Sequence, residues 1–167
     1  MIKIAIIYDS RSGNTRAMAE AMAEGVRTIA DVEVRLKTAE EAGSDDFFWA
    51  DGMAVGSPCH CGLMSWKLKK FIDDSLKAWG KVDGKIGCAF SSAGGAGGGA
   101  ELTCQAILTA LMNYGFLVFG LPDYVAPGRT LHYGAVAVGQ PDEHALAACR
   151  LLGERLVKHV CRIKASE

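Results

Sequence analysis

The feature that most constrains this chain is an alternation running from end to end. Short continuous apolar runs take turns with longer segments whose apolar residues recur at helical spacing. Ile2 to Tyr8 is an apolar run interrupted only by Lys3, as expected of a strand buried on both faces. Met18, Ala21, Met22, Gly25, Val26 and Ile29 then mark one face of a helix. Val32, Val34 and Leu36 predict a second strand, Ser44 opens a short helix over 44–49, and Met53 to Ser57 predicts a third strand ended by Pro58. Leu68, Phe71, Ile72, Leu76 and Trp79 mark a helix face, Lys85 to Ser91 a fourth strand, and Cys104, Ile107, Leu108, Leu111 and Met112 another helix stopped at Gly115. Phe116 to Leu121 is expected as a fifth strand, and Leu146, Cys149, Leu156, Val157 and Val160 mark a last helix.

Strand alternating with helix implies right-handed crossovers and a parallel sheet with helices on both faces. Five strands in this rhythm fit a doubly wound α/β fold of order 2-1-3-4-5, one domain over residues 1–163. In such sheets ligands sit beyond the carboxyl ends of the strands, at the switch point between the first and third. The loops after residues 8, 57 and 91 are therefore where function is expected.

Composition excludes several classes. The formal net charge is −1, so no nucleic-acid footprint is visible. No apolar run approaches the roughly 20 residues of a membrane helix. The chain starts directly on a strand without a basic leader, and its six cysteines sit scattered in apolar segments, as reduced thiols of a cytoplasmic protein would.

The first loop reads Ser10-Arg11-Ser12-Gly13-Asn14-Thr15 and runs straight into a helix. Free backbone N–H groups and the positive end of the helix dipole attract an anion there, and the hydroxyls add short donors. The dinucleotide fingerprint and the Walker Gly-Lys-Ser/Thr are both absent, which leaves a cradle for a monophosphate or an ordinary capped helix start.

This stretch, with Ile6 to Asp9 before it and Met18-Ala19 after, resembles the phosphate loop of flavodoxin-like FMN proteins. Gly56-Ser57-Pro58-Cys59-His60-Cys61-Gly62-Leu63-Met64 and Phe90-Ser91-Ser92-Ala93-Gly94-Gly95-Ala96-Gly97-Gly98-Gly99-Ala100-Glu101 narrow the resemblance to the WrbA-like NAD(P)H:quinone oxidoreductases. The resemblance covers nearly the whole chain, including Tyr133-Gly134-Ala135. It implies a flavodoxin-like fold and FMN as cofactor. It assigns Ser10, Arg11, Ser12, Gly13, Asn14 and Thr15 to the phosphate. Pro58, Cys59, His60, Cys61 and Gly62 fall on its middle flavin loop, and Ser92, Ala93, Gly94, Gly95, Gly97 and Gly98 on the pyrimidine and ribityl side. Backbone N–H groups of a glycine-rich loop suit the negative charge that reduction places on the pyrimidine edge. No catalytic side chain is required, since the flavin carries the chemistry.

Cys59-His60-Cys61 also invites a metal reading, but three ligands within three residues do not readily close a tetrahedral shell, and no metal is expected. Trp79 falls where the family places a tryptophan near its substrate pocket, often reached from a neighbouring subunit; an amphipathic-helix tryptophan is the alternative. Tyr114 aligns with a histidine the family uses near FMN, although a tyrosine carries no charge at neutral pH. His132 and Tyr133 lie in a loop the family uses at subunit contacts, and His144 and His159 are expected on the solvated face of the last helix.

The resemblance implies an FMN-dependent oxidoreductase passing electrons from NAD(P)H to a quinone or similar small-molecule acceptor. The alternative is a flavodoxin-type one-electron carrier for a redox protein. Two observations favour the enzyme: the third loop has no aromatic residue to cover the flavin, and the chain lacks the strong acidity of electron carriers. One opposes it. The family's extra segment after the second strand and its longer loop after the fifth are both missing, which leaves homo-oligomerisation open.

Overall fold

In the computed structural model, residues 1–125, 128 and 130–166 are described. The strands are β1 (Ile2–Tyr8), β2 (Val32–Thr38), β3 (Gly52–His60), β4 (Leu63–Met64), β5 (Ile86–Ala93), β6 (Leu117–Val118) and β7 (Ala135–Val138). The helices are α1 (Asn14–Arg27), α2 (Ser44–Trp49), α3 (Trp66–Asp74), α4 (Ala100–Asn113) and α5 (Glu143–Lys164). The sheet order is β2-β1-β3-β5-β6, so its main strands follow the expected 2-1-3-4-5 path. Every pairing along that path is parallel, with Ile4 opposite Val34 on one side and Gly52 on the other.

The sheet separates two cores because successive side chains on each strand point to opposite faces. Ile4 and Ile6 face α1 and α5 with Met18, Met22, Leu152 and Leu156. Ala5 and Ile7 face α2, α3 and α4 with Phe47, Leu68, Ile107 and Leu111. The short α2 is pinned from both ends. Lys37 holds the Asp46 carboxylate at 2.7 Å, and Lys85 Nζ donates to the carbonyls of Phe47, Phe48 and Ala50 at the helix's C-terminal end. Burial alone would raise the Asp46 carboxyl, but Lys37, the Gly43 N–H and Arg35 together hold it below its ordinary range. Among the described residues no helix is long and apolar enough to cross a membrane.

Two elements differ from the sequence expectation. The third strand does not stop at Pro58. It continues to His60 and turns back as a hairpin with β4, pairing Cys59 with Met64 and His60 with Leu63. Pro58 is tolerated because it lies at the strand's carboxyl end, past β1, where Tyr8 pairs no further than Gly56. The fifth strand is not a continuous Phe116–Leu121. It is split into β6, beside Ile86 and Gly87, and β7, beside Phe90 to Ala93. The chain leaves the sheet between them, and a bridge from Leu121 to Leu131 closes the excursion.

Candidate functional site

The carboxyl ends of β1, β3 and β5 bring three loops to one edge of the sheet, and backbone and side-chain bonds tie them together. Asp9 N–H donates to Gly56 O at 3.1 Å, joining the first loop to β3. The Thr15 and Ser92 hydroxyls lie 2.8 Å apart and are buried, joining the start of α1 to the end of β5. The Cys59 thiol donates to Gly98 O at 3.0 Å, joining the hairpin to the third loop.

The first loop enters α1 through Gly13, whose φ of 91° is left-handed. No side chain caps the helix there. Arg16 N–H finds Ser10 Oγ at 3.2 Å and Ala17 N–H finds Gly13 O at 2.9 Å. Among the described residues the N–H groups of residues 11–15 meet no acceptor. Five unsatisfied donors at the positive end of a helix dipole form an anion cradle. None of the six side chains from Ser10 to Thr15 is acidic, and those of Arg11 and Ser12 are exposed. The donor set therefore fits a phosphate monoester.

The middle loop is the β3–β4 hairpin, a two-residue turn with Cys61 at φ 52° and Gly62 at φ 86°. Positive φ at both central residues is the type I′ geometry that matches strand twist. Cys61 supplies the first of these without being glycine, which carries a steric cost. The third loop is open. A Cβ at Gly94, Gly95 or Gly97 would meet nothing within 4 Å, and the N–H groups of residues 94–97 have no acceptor among the described residues. At its far end the loop closes down, because a Cβ at Gly99 would sit 3.3 Å from both Cys59 Sγ and Gly62 Cα. In β5, the buried Ser91 Oγ has no hydrogen-bond partner among the described residues.

The remaining expected residues are not gathered here. Trp79 is exposed and donates through its indole nitrogen to Asn113 O at 2.9 Å, at the opposite end of α4 from the third loop. Fourteen residues of helix put about 20 Å between those ends, so within one chain Trp79 does not reach the loops. Tyr114 is a core residue: its hydroxyl donates to Ile72 O at 2.7 Å and its ring stacks on Phe47. It sits in the wall of the second core, beside an open cavity that Trp79, Leu63 and Met64 also line. His132 is exposed and near Asp123, Tyr133 is exposed, and His144 is exposed. His159 is half-buried against the Phe119 ring rather than solvated, and burial beside Arg155 and Arg162 lowers its basicity. Sequence reasoning missed the Thr15–Ser92 link and the edge formed by β7, where Gly139 N–H binds Ala93 O.

The six cysteines fall into two groups. Cys88, Cys104 and Cys149 are buried, and burial pushes all three thiols up, Cys149 to about 12, so they remain protonated. Cys59 is half-buried at the site, while Cys61 and Cys161 are exposed. Among the described residues no group of three or more His, Cys, Asp or Glu is placed to hold a metal.

A flavodoxin domain model matches residues 5–82, which includes the first loop and the hairpin. A flavodoxin of Aquifex aeolicus is 58% identical over 96% of this chain and 88% of its own length. The chain belongs to the flavodoxin family. It is also similar to an NAD(P)H dehydrogenase (quinone) of Archaeoglobus fulgidus, 30% identical over 95% of this chain and 97% of that protein. Among solved structures, a WrbA-like flavodoxin of Agrobacterium tumefaciens superposes with a TM-score of 0.79 at 24% identity, covering 97% of this chain and 99% of the other, which bears on the fold alone. The family implies FMN as the cofactor, and the open donors of the first loop and the bare glycines of the third fit it.

Proposed function

We propose that this chain is a one-electron carrier that binds one FMN across the three loops and exchanges electrons with a redox partner protein. The observation that carries the reading is the 58% identity to a flavodoxin over almost the full chain. The quinone dehydrogenase of A. fulgidus is half as similar, and its alignment runs to 189 positions, more than the 167 residues of this chain. That excess agrees with the missing segments expected from the sequence.

In this reading Ser10, Arg11, Ser12, Gly13, Asn14 and Thr15 hold the phosphate through backbone N–H groups and hydroxyls. Pro58, Cys59, His60, Cys61 and Gly62 present hairpin backbone to the ring edge. Ser92, Ala93, Gly94, Gly95, Gly97 and Gly98 present donors to the pyrimidine and the ribityl chain. FMN, when bound, supplies the redox chemistry. The residues bind, orient and exclude water, and no side chain need move a proton.

The aromatic-free third loop supports a second reading, an NAD(P)H:quinone oxidoreductase whose flavin face accepts nicotinamide or a flat acceptor. Trp79 enters that reading only if a second subunit brings it to the loops. A steady-state assay of the FMN-loaded protein with NADH or NADPH and a benzoquinone separates the two. The carrier reading expects turnover no greater than free FMN gives, and saturable, protein-dependent quinone reduction would replace it with the enzyme.

A further inference from the structure

We propose that Cys59 is a positioning residue, whose thiol latches the hairpin to the glycine loop and so sets how the two loops face the flavin. The inference rests on the FMN-binding reading above. The third loop has few anchors of its own. From Gly94 to Gly98 every residue is exposed, and its internal backbone bond is Gly98 N–H to Gly95 O at 3.1 Å. A run of four small, unsupported residues at Gly94, Gly95, Ala96 and Gly97 has a large conformational freedom to lose on ordering. Two attachments limit it. On the helix side, Thr103 N–H and Oγ1 both bind Gly99 O, at 2.9 and 3.0 Å. On the hairpin side, Cys59 Sγ donates to Gly98 O at 3.0 Å.

The packing around that bond shows why a thiol stands there. A Cβ on Gly99 would press on Cys59 Sγ and Gly62 Cα at 3.3 Å, so tightly that one of them would have to shift. The sulfur therefore fills the seam between the loops while its hydrogen satisfies the Gly98 carbonyl. With that carbonyl held by the hairpin, the exposed Gly94 to Gly97 stretch keeps N–H groups that have no acceptor among the described residues. Cys61, two residues away, is exposed at the turn and makes no such bond.

The latch gives an effect that simple packing does not. Donors aimed at the flavin edge stabilise the negatively charged reduced form more than the oxidised one. Losing their alignment lowers the reduction potential, whereas loosening the site as a whole weakens both forms equally and leaves the potential unchanged.

The test compares wild type, Cys59→Ala, Cys59→Ser and Cys59→Val. Hydrogen exchange on the flavin-free protein reads the loop directly. Cys59→Ala and Cys59→Val should speed exchange at the Gly98 N–H, whose bond to Gly95 O is the loop's own, by about three- to tenfold, the worth of one modest hydrogen bond, while Cys59→Ser retains most of the protection. Once loaded, the Ala and Val variants should bind oxidised FMN about three- to tenfold more weakly, with a lowered potential that Ser restores. Unchanged exchange in Cys59→Ala and Cys59→Val overturns the latch. So does weaker binding with an unshifted potential, or a Ser variant no better than Val. If wild-type protein fails to bind FMN, the functional reading falls, but the exchange result still decides whether Cys59 holds the loop.

Discussion

Glycine does opposite work in two regions of this molecule. Where α1 crosses α5, a Cβ at Gly25 would lie inside the backbone carbonyl of Arg150, and one at Gly153 would collide with the carbonyl of Met22. These residues let two helices touch backbone to backbone beneath Arg150, which pairs with Glu24 and Glu143. In the third loop, a Cβ at Gly94, Gly95 or Gly97 would meet nothing within 4 Å. The first region uses glycine to bring protein against protein; the second leaves open the space that the proposed FMN would take. The difference separates packed glycines from open ones in a chain whose 20 glycines look alike in sequence.

The largest expected effect breaks the packing side. Gly25→Ala must push α5 away from α1 and should cost about 3 kcal/mol, at the upper end for overpacking, with the urea midpoint as readout. Stability within 0.5 kcal/mol of wild type, taken as roughly the noise of a surface substitution, would mean the helices are not as close as described.

On the binding side, FMN should be held roughly a hundredfold more tightly than riboflavin, equivalent to about two charge-assisted hydrogen bonds from the 11–15 cradle. Isothermal calorimetry with both ligands checks this, and equal affinity would place the phosphate elsewhere. Gly13→Ala stands between the two regions. It meets no atom within 4 Å but must adopt a φ of 91°. It should cost about 1 kcal/mol in unfolding experiments, through backbone strain alone, and weaken FMN as the cradle shifts. Gly95→Ala is the smallest: its φ is not left-handed and its surroundings are open, so stability should stay within about 0.5 kcal/mol. A loss as large as that of Gly25→Ala would erase the distinction between the regions.

Much of this was legible in the sequence, for identifiable reasons. β1, β3 and β5 are buried on both faces, so their continuous apolar runs stood out, and the order of the sheet followed from the alternation. The cradle was readable because hydroxyl residues and Gly13 directly precede a helical pattern. The split fifth strand was not. Phe116 to Leu121 is apolar throughout, but only Leu117 and Val118 pair with β5, and the rest of that edge comes from Ala135–Val138, an Ala-Val-Ala-Val run too short to stand out beside it. Pro58 misled because proline usually ends a paired strand, whereas here the hairpin carries the chain past it. The burial of Tyr114 was not legible, because alignment to a histidine says nothing of burial and the stacking on Phe47 depends on α2, a helix of six residues. The Cys-x-Cys pair at 59 and 61 invited a metal reading that its spacing does not support, and the loop was expected to act through its backbone. The bond from the Cys59 thiol to Gly98 spans 39 residues and becomes visible only when the loops meet.

The central claim is that this edge of the sheet holds FMN for one-electron transfer. An anaerobic reductive titration of the FMN-loaded protein, followed by absorbance against potential, tests it most directly. The account predicts two one-electron steps at well-separated potentials, and no reduction by NADH or NADPH beyond the rate of free FMN. A single two-electron step, with rapid reduction by either nicotinamide, would contradict it and make this chain an oxidoreductase in its own right.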